Sequence, residues 1–349
     1  MSERKDESVH HRTAKANSSV RSRTHRVVRT KTDDSSVAER KPYRSFNKFN
    51  DSRSSKANSS VDYQSKNKEI EKKIDAFFEA NKESGLKKLV SASKLMEAGA
   101  HIGTLNKFWN PKMKPYIYPR KGHSRQIIDI LKTMVFLDRT YNFLKDIARD
   151  GGRILFVGTR GDIIKEHIKE EAKRAKSFYI NQRWLGGTLT NFKTINNSIN
   201  KLNKLISLQL GDEIKKYSKK EQVMIAKESE KMNKFLGGIR TMRGLPQAIV
   251  VTDSVHEHNA VKEARQLNIP VIAFANTNAN PDLIDFIIPA NTGSIKTVWL
   301  LISVLTDAIC DANGETLSVV GKKDEEIILP EIAKKEPTRN FIQHKRFGR

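Results

Sequence analysis

Between residues 88 and 315 the apolar positions follow two different periods, and the switches between them set the elements to expect. Five short runs are apolar at consecutive positions: "RILFVG" at 153–158, "SFYI" at 177–180, "AIVVTD" at 248–253, "PVIAFA" at 270–275 and "DFIIPA" at 285–290. Stretches with helical spacing at 162–175, 256–267 and 294–311 lie among them. Runs apolar on both faces and separated by helices predict a parallel sheet covered on each side, so the expected fold class is α/β, doubly wound. Ahead of the first run, Leu137, Tyr141, Leu144 and Ala148 place an amphipathic helix at 133–149, which Gly151 and Gly152 end.

One long segment, between "SFYI" and "AIVVTD", carries no strand signal. Phe192, Ile195, Ile199, Leu202 and Ile206 form a stripe at spacings of three and four; after the interruption "LGDEIKKY", Ile225, Met232, Phe235 and Ile239 form another. Ser218 and Glu221 have the spacing of a capping box. Two helices of ~17 residues, each ~25 Å long, would make an antiparallel coiled-coil hairpin over 191–239, inserted into a core domain of 88–190 and 240–320.

The stretch "HIGTLNKFWNPKMKPYIY" at 101–118 has no period, and Pro111 and Pro115 exclude a regular helix. It reads as a loop whose rings, Phe108, Trp109, Tyr116 and Tyr118, either fold back onto the domain or face a partner. Before it, Ile70, Ile74, Phe77 and Phe78 share one face of an extra amphipathic helix within 67–87, and "SASKLMEAG" predicts a short helix ending at Gly99; after it, "RQIIDI" reads as a short strand.

Charge changes the picture. The 349 residues carry 64 Lys and Arg against 40 Asp and Glu, a formal excess of +24. Residues 1–66 read as a disordered basic extension and 321–349 as a charged tail. Residues 1–60 hold 15 of the cations and 7 of the carboxylates, so two thirds of the excess lies elsewhere. Such a chain favours a polyanionic partner through phosphate neutralisation. Cys310 is the single cysteine and sits in an apolar helical pattern, which fits a buried structural thiol in a reducing, cytoplasmic compartment. No apolar run approaches the ~20 residues that span a bilayer, and no signal-peptide pattern opens the chain, so no membrane association is expected.

Candidate chemistry is sparse. "ILFVGTRGDIIKE" runs from a strand through two glycines into a helix, but both phosphate-loop spacings are absent and Asp162 places negative charge where an anion would bind. Asp253, His256 and His258 at the end of a strand are candidates for a metal, or for N-terminal capping beside surface histidines; no fourth ligand is evident, and capping is expected. No catalytic constellation and no cofactor site is read. Arg183, in "NQRWLGGTLTNFKT", is a candidate for RNA, with Trp184 a packing plug at the hinge of the hairpin. Arg240 and Arg243, in the glycine-rich return "LGGIRTMRGLPQ", could reach phosphate. Lys193, Lys201 and Lys204 line the first hairpin helix.

The stretches "LMEAGAHIGTLNKFWNPKMKPYIY", "ILFVGT", "NQRWLGGTLTNFKT", "LGGIRTMRGLPQAIVVTD" and "HEHNAVKEARQLNIPVIAFANTNANPDLIDFIIPAN" occur in this order, which resembles the bacterial family of ribosomal protein S-two. The resemblance implies a non-enzymatic, structural RNA-binding protein of the small ribosomal subunit, with a flavodoxin-like sheet domain and a protruding hairpin. It also implies partners: 16S-type ribosomal RNA, neighbouring small-subunit proteins near the messenger exit region and, in many bacteria, ribosomal protein S-one. On this reading Trp109 and Asn110 fix the opening loop and Lys107, Lys112, Lys114, Arg120 and Arg125 are available to RNA. A nucleotide- or sugar-phosphate-using enzyme and a freestanding RNA-binding protein are the competing classes.

Overall fold

The computed structural model describes residues 72–80, 87–119 and 124–331. The basic extension over 1–66, the end of the C-terminal tail and Arg120 lie outside these residues. Eight helices and seven strands are described: α1 (72–80), α2 (Ala92–Glu97), β1 (Ile102–Leu105), β2 (Arg125–Ile127), α3 (Ile130–Arg149), β3 (Ile154–Val157), α4 (Asp162–Arg174), β4 (Phe178–Ile180), α5 (Phe192–Leu210), α6 (Lys219–Leu236), β5 (Ala248–Val251), α7 (His258–Gln266), β6 (Val271–Ala275), β7 (Phe286–Pro289) and α8 (Ile295–Asn313).

Strands β3 to β7 form one parallel sheet in the order β4-β3-β5-β6-β7. Counted within the sheet this is 2-1-3-4-5, an order that reverses between its first and third strands. Because side chains alternate along a strand, each apolar run supplies both faces. Ile154, Phe156, Val250, Ile272, Phe274 and Ile288 face α3, α4 and α8; Leu155, Val157, Ile249, Val251, Val271 and Ala273 face α7 and the sheet-proximal ends of α5 and α6. Phe156 and Phe274 are among the largest fully buried side chains, and each such burial contributes about 1.5–3 kcal/mol.

Helix α8 is buried on nearly its whole circumference from Thr297 to Cys310, as its continuous apolar pattern requires. Ser294 caps its start and Gly314, in the left-handed conformation, ends it. Helix α3 begins at Ile130, earlier than the apolar stripe indicates, because the Asp129 carboxylate accepts the Leu131 N–H (3.1 Å) as an N-cap. The expected strand at "RQIIDI" is accordingly confined to 125–127.

Two further differences extend the packed region. The segment 101–118 is not an irregular loop. It forms β1, a 3₁₀ turn at Asn106–Phe108 and a 3₁₀ helix at Pro111–Tyr116; prolines there are tolerated because Pro111 takes the first helical position and Asn110 supplies the cap. At the other end, chain read as charged tail from 321 contributes Ile327 and Leu329 to the same buried cluster as Val319 and α1 residues Ile74 and Phe78. A buried carboxylate organises this end. Asp307 accepts the N–H groups of Ser318 (2.9 Å), Val319 (2.7 Å) and Val320 (2.9 Å) and pairs with Arg174 (2.8 Å), which also holds Glu171 (2.6 Å). Cys310 is buried beside this network, and burial pushes its thiol up to about 11.

Candidate nucleic-acid interface

In open α/β sheets ligands favour the crevice at the carboxyl ends of the strands, where the order reverses. Here that place lies between β3 and β5, and protein contacts cross it. The Thr159 N–H and hydroxyl donate to Glu257 (2.9 and 2.6 Å), while Arg160 pairs with Asp253 (3.1 Å). Asp253 also accepts the N–H groups of Val255 (3.0 Å) and His256 (3.3 Å), so it acts as a turn cap. His256 and His258 are exposed, and no metal-holding group of acidic, His or Cys side chains is present among the described residues.

The neighbouring loop is built around a residue that the sequence did not single out. Glu263 of α7 accepts the Trp184 indole N–H (2.9 Å), the N–H groups of Gly187 (2.8 Å), Leu189 (3.0 Å) and Thr190 (3.3 Å), and the Thr190 hydroxyl (3.2 Å). Burial raises the carboxyl's pKa, but the donated hydrogen bonds outweigh it and hold the group below its ordinary value. Trp184 is thereby a buried anchor, with Arg183 beside it exposed. No local pattern marks Glu263, since its partners lie more than seventy positions away in the chain.

Beyond this anchor α5 and α6 are joined by a 3₁₀ turn at Asp212–Lys216, and Ile195, Ile199 and Leu202 of α5 share a buried cluster with Leu236 of α6 and Ile239 in the turn that follows it. The Ser218–Glu221 capping box forms: the Glu221 carboxylate accepts the Ser218 N–H (2.9 Å), and the Ser218 hydroxyl accepts the Glu221 N–H (3.3 Å). At the return, Gly238 lies so close to β4 that a Cβ there would sit 2.0 Å from the Tyr179 carbonyl oxygen, which explains glycine at this position.

The predicted cations divide into three groups. Lys193, Lys201 and Lys204 are exposed on α5, and Lys201 pairs with Glu228 across to α6 (2.5 Å). Arg183, Arg240 and Arg243 are exposed near the ends of the two helices, where they join the sheet domain. Lys107, Lys112, Lys114 and Arg125 are exposed around the segment 101–125, and Lys112 pairs with Asp282. The other cations of these groups have no carboxylate partner among the described residues, which leaves their charge available to an external anion. Trp109 and Asn110 are half-buried; Asn110 donates its N–H to the Thr277 carbonyl (2.8 Å) and accepts the Lys112 N–H (3.0 Å), fixing the loop. No helix among the described residues is long and apolar enough to cross a membrane.

A relative from Ureaplasma urealyticum serovar 10, a small ribosomal subunit protein uS2, is 53% identical over 261 residues, covering 75% of this chain and 74% of the relative. The protein of that name from Malacoplasma penetrans is 54% identical over 256 residues, covering 72% and 70%. That from Mycoplasma genitalium is 45% identical over 248 residues, covering 71% and 87%. The family model described as ribosomal protein S2 matches residues 95–312, a span holding the whole parallel sheet, the anchored loop and both long helices. The chain therefore belongs to the ribosomal protein S2 family, whose members are structural proteins and not enzymes.

Proposed function

We propose that this protein is a structural constituent of the small ribosomal subunit in the cytoplasm, where it binds 16S-type ribosomal RNA and neighbouring subunit proteins near the messenger exit region. Family membership together with three groups of exposed cations, most of them without a carboxylate partner among the described residues, carries this reading. Phosphate contacts from Lys and Arg supply affinity and register without reading sequence, which suits a protein that holds folded RNA in place. In this reading α5 and α6 form an inserted antiparallel coiled-coil hairpin that projects Lys193 and Lys204 away from the sheet domain. Arg183, Arg240 and Arg243 meet RNA where the hairpin leaves that domain. The residues before α1 and after Leu329 add nonspecific phosphate contacts, and ribosomal protein S-one is a candidate neighbour.

Gradient sedimentation of the tagged full-length protein with small subunits, at rising salt, tests the proposal. Comigration that survives salt able to strip nonspecific RNA binding is the expected result. Replacing Lys193, Lys204, Arg240 and Arg243 together by Gln should shift dissociation to lower salt, with a log–log slope reduced by about 3 to 4. A wild-type protein that stays out of the small-subunit peak at every salt concentration refutes the reading.

A further inference from the structure

Apart from the main sheet, β1 and β2 form a two-stranded antiparallel ribbon, and an isolated bridge brings the chain at 117–118 against the other edge of β2. Ile102 pairs with Ile127 on one side of β2. On the other side the Tyr118 N–H donates to the Ile127 carbonyl (2.8 Å), in register with the antiparallel bridge between Ile117 and Ile128. Residues directly opposite in antiparallel strands share a face, so Tyr118, Ile127 and Ile102 make one row across the ribbon. Arg125, two positions along β2 and paired with Leu105, extends that face by a second row about 7 Å away.

The opposite face is turned into the protein. Ile128 is buried, and a Cβ on Gly103 would lie 2.7 Å from the Thr277 methyl carbon. The outward face is uncovered among the described residues: Tyr118 is 56% exposed, Ile102 39% and Leu105 37%. In the turn that directly follows β1, Phe108 is 59% exposed. Lys107 holds its ammonium 4.7 Å from the centre of the Phe108 ring. From His101 to Ile128 the sequence contains six Lys and Arg and no Asp or Glu.

Exposed rings on the ribbon face and in the adjoining turn, with nearby cations that have no carboxylate partner among the described residues, match the chemistry of unpaired nucleotides. Each base offers an apolar face for stacking, and the linking phosphates require positive charge nearby. A duplex hides its base faces and offers a cation only phosphate, so exposed rings would contribute nothing to it. We propose that Tyr118 and Phe108 form a stacking platform for unpaired bases of an RNA strand, whose phosphates run past Lys107, Lys114 and Arg125. This rests on the RNA-binding reading above and adds to it the class of RNA engaged at this face.

Fluorescence anisotropy of the full-length protein with a short labelled oligouridylate, and separately with a labelled RNA duplex, tests the platform. The variant carrying Phe108→Ala and Tyr118→Ala should lose about 5- to 150-fold in oligouridylate affinity per ring. Its duplex affinity and its salt slope should stay at wild-type values, because no cation has been removed. The exchange Phe108→Tyr with Tyr118→Phe keeps both rings and should restore oligouridylate binding. Both side chains are exposed, so circular dichroism should show an unchanged fold.

Oligouridylate affinity of the Ala variant within about two-fold of wild type would overturn the platform while leaving general RNA binding intact. That same unchanged affinity, combined with poorer entry into small subunits, would assign the face to a protein neighbour and would also overturn it. A wild-type protein that binds neither RNA and enters no subunit would overturn both readings.

Discussion

Replacing Glu263 by Gln tests whether one carboxylate holds the loop that leads into α5. In the wild type its two oxygens accept five hydrogen bonds from Trp184, Gly187, Leu189 and Thr190. A glutamine keeps one acceptor oxygen but turns an NH₂ toward donors that already point inward. Thr190 is exposed and water can replace its bonds; the retained oxygen can still serve Trp184 and Gly187, which share one carboxylate oxygen, so the loss falls on the Leu189 N–H, left facing the NH₂. A buried donor left unpaired costs about 1–3 kcal/mol, so the variant should be less stable by about that amount at pH 7. The effect should also depend on pH. The folded-state pKa of Glu263 lies below its ordinary value of 4.5, so in the intervening range the unfolded chain binds more protons than the folded one. Its stabilisation is therefore complete above 4.5 and is lost as pH falls through the lowered folded value. Equilibrium urea unfolding of both proteins across this range, followed by Trp fluorescence, should show the gap narrowing at acid pH. A difference under about 0.5 kcal/mol at pH 7, or a gap that persists unchanged at acid pH, would refute the assignment of Glu263 as the loop's anchor.

Asp307→Ala strips a buried carboxylate from three backbone donors and leaves Arg174 without that partner, so we expect a loss of about 3–5 kcal/mol and early proteolytic cleavage within 315–331; wild-type protease resistance there would contradict this. His167 is buried against Trp299, with its Nε2 3.0 Å from the Ser303 hydroxyl, and burial lowers its pKa from 6.5 to about 4. The unfolded chain therefore takes up a proton that the folded one refuses, and stability should decline by about 3 kcal/mol as pH falls from 6.5 toward 4. His167→Asn should remove that part of the slope in urea titrations; an unaltered slope would count against the buried neutral imidazole.

The sequence by itself determined the elements whose cause is local. Apolar runs as short as "AIVV" and "VIAFA", rich in β-branched residues and preceded by proline, read as strands covered on both faces, and the stripe from Phe192 to Ile206 reads as a helix with one packed side. The capping box at Ser218 was equally legible, since both partners lie within one turn. Long motifs in a fixed order also made the family readable before any fold was known.

Tertiary structure alone decided which distant groups meet. The strand order, the closure of the crevice by Glu257 and Asp253, and the gathering of the 184–190 loop onto Glu263 depend on contacts across tens of residues that carry no periodic signal. The segment 101–118 shows the same limit. Its prolines and scattered rings read as a loop, yet pairing with β2 turns Tyr118 outward and Ile128 inward. Local pattern specifies how a segment is shaped, because its hydrogen bonds and packing face are set by near neighbours. Which side chains share a surface is set by register and packing between segments, and that information exists only once the chain has folded.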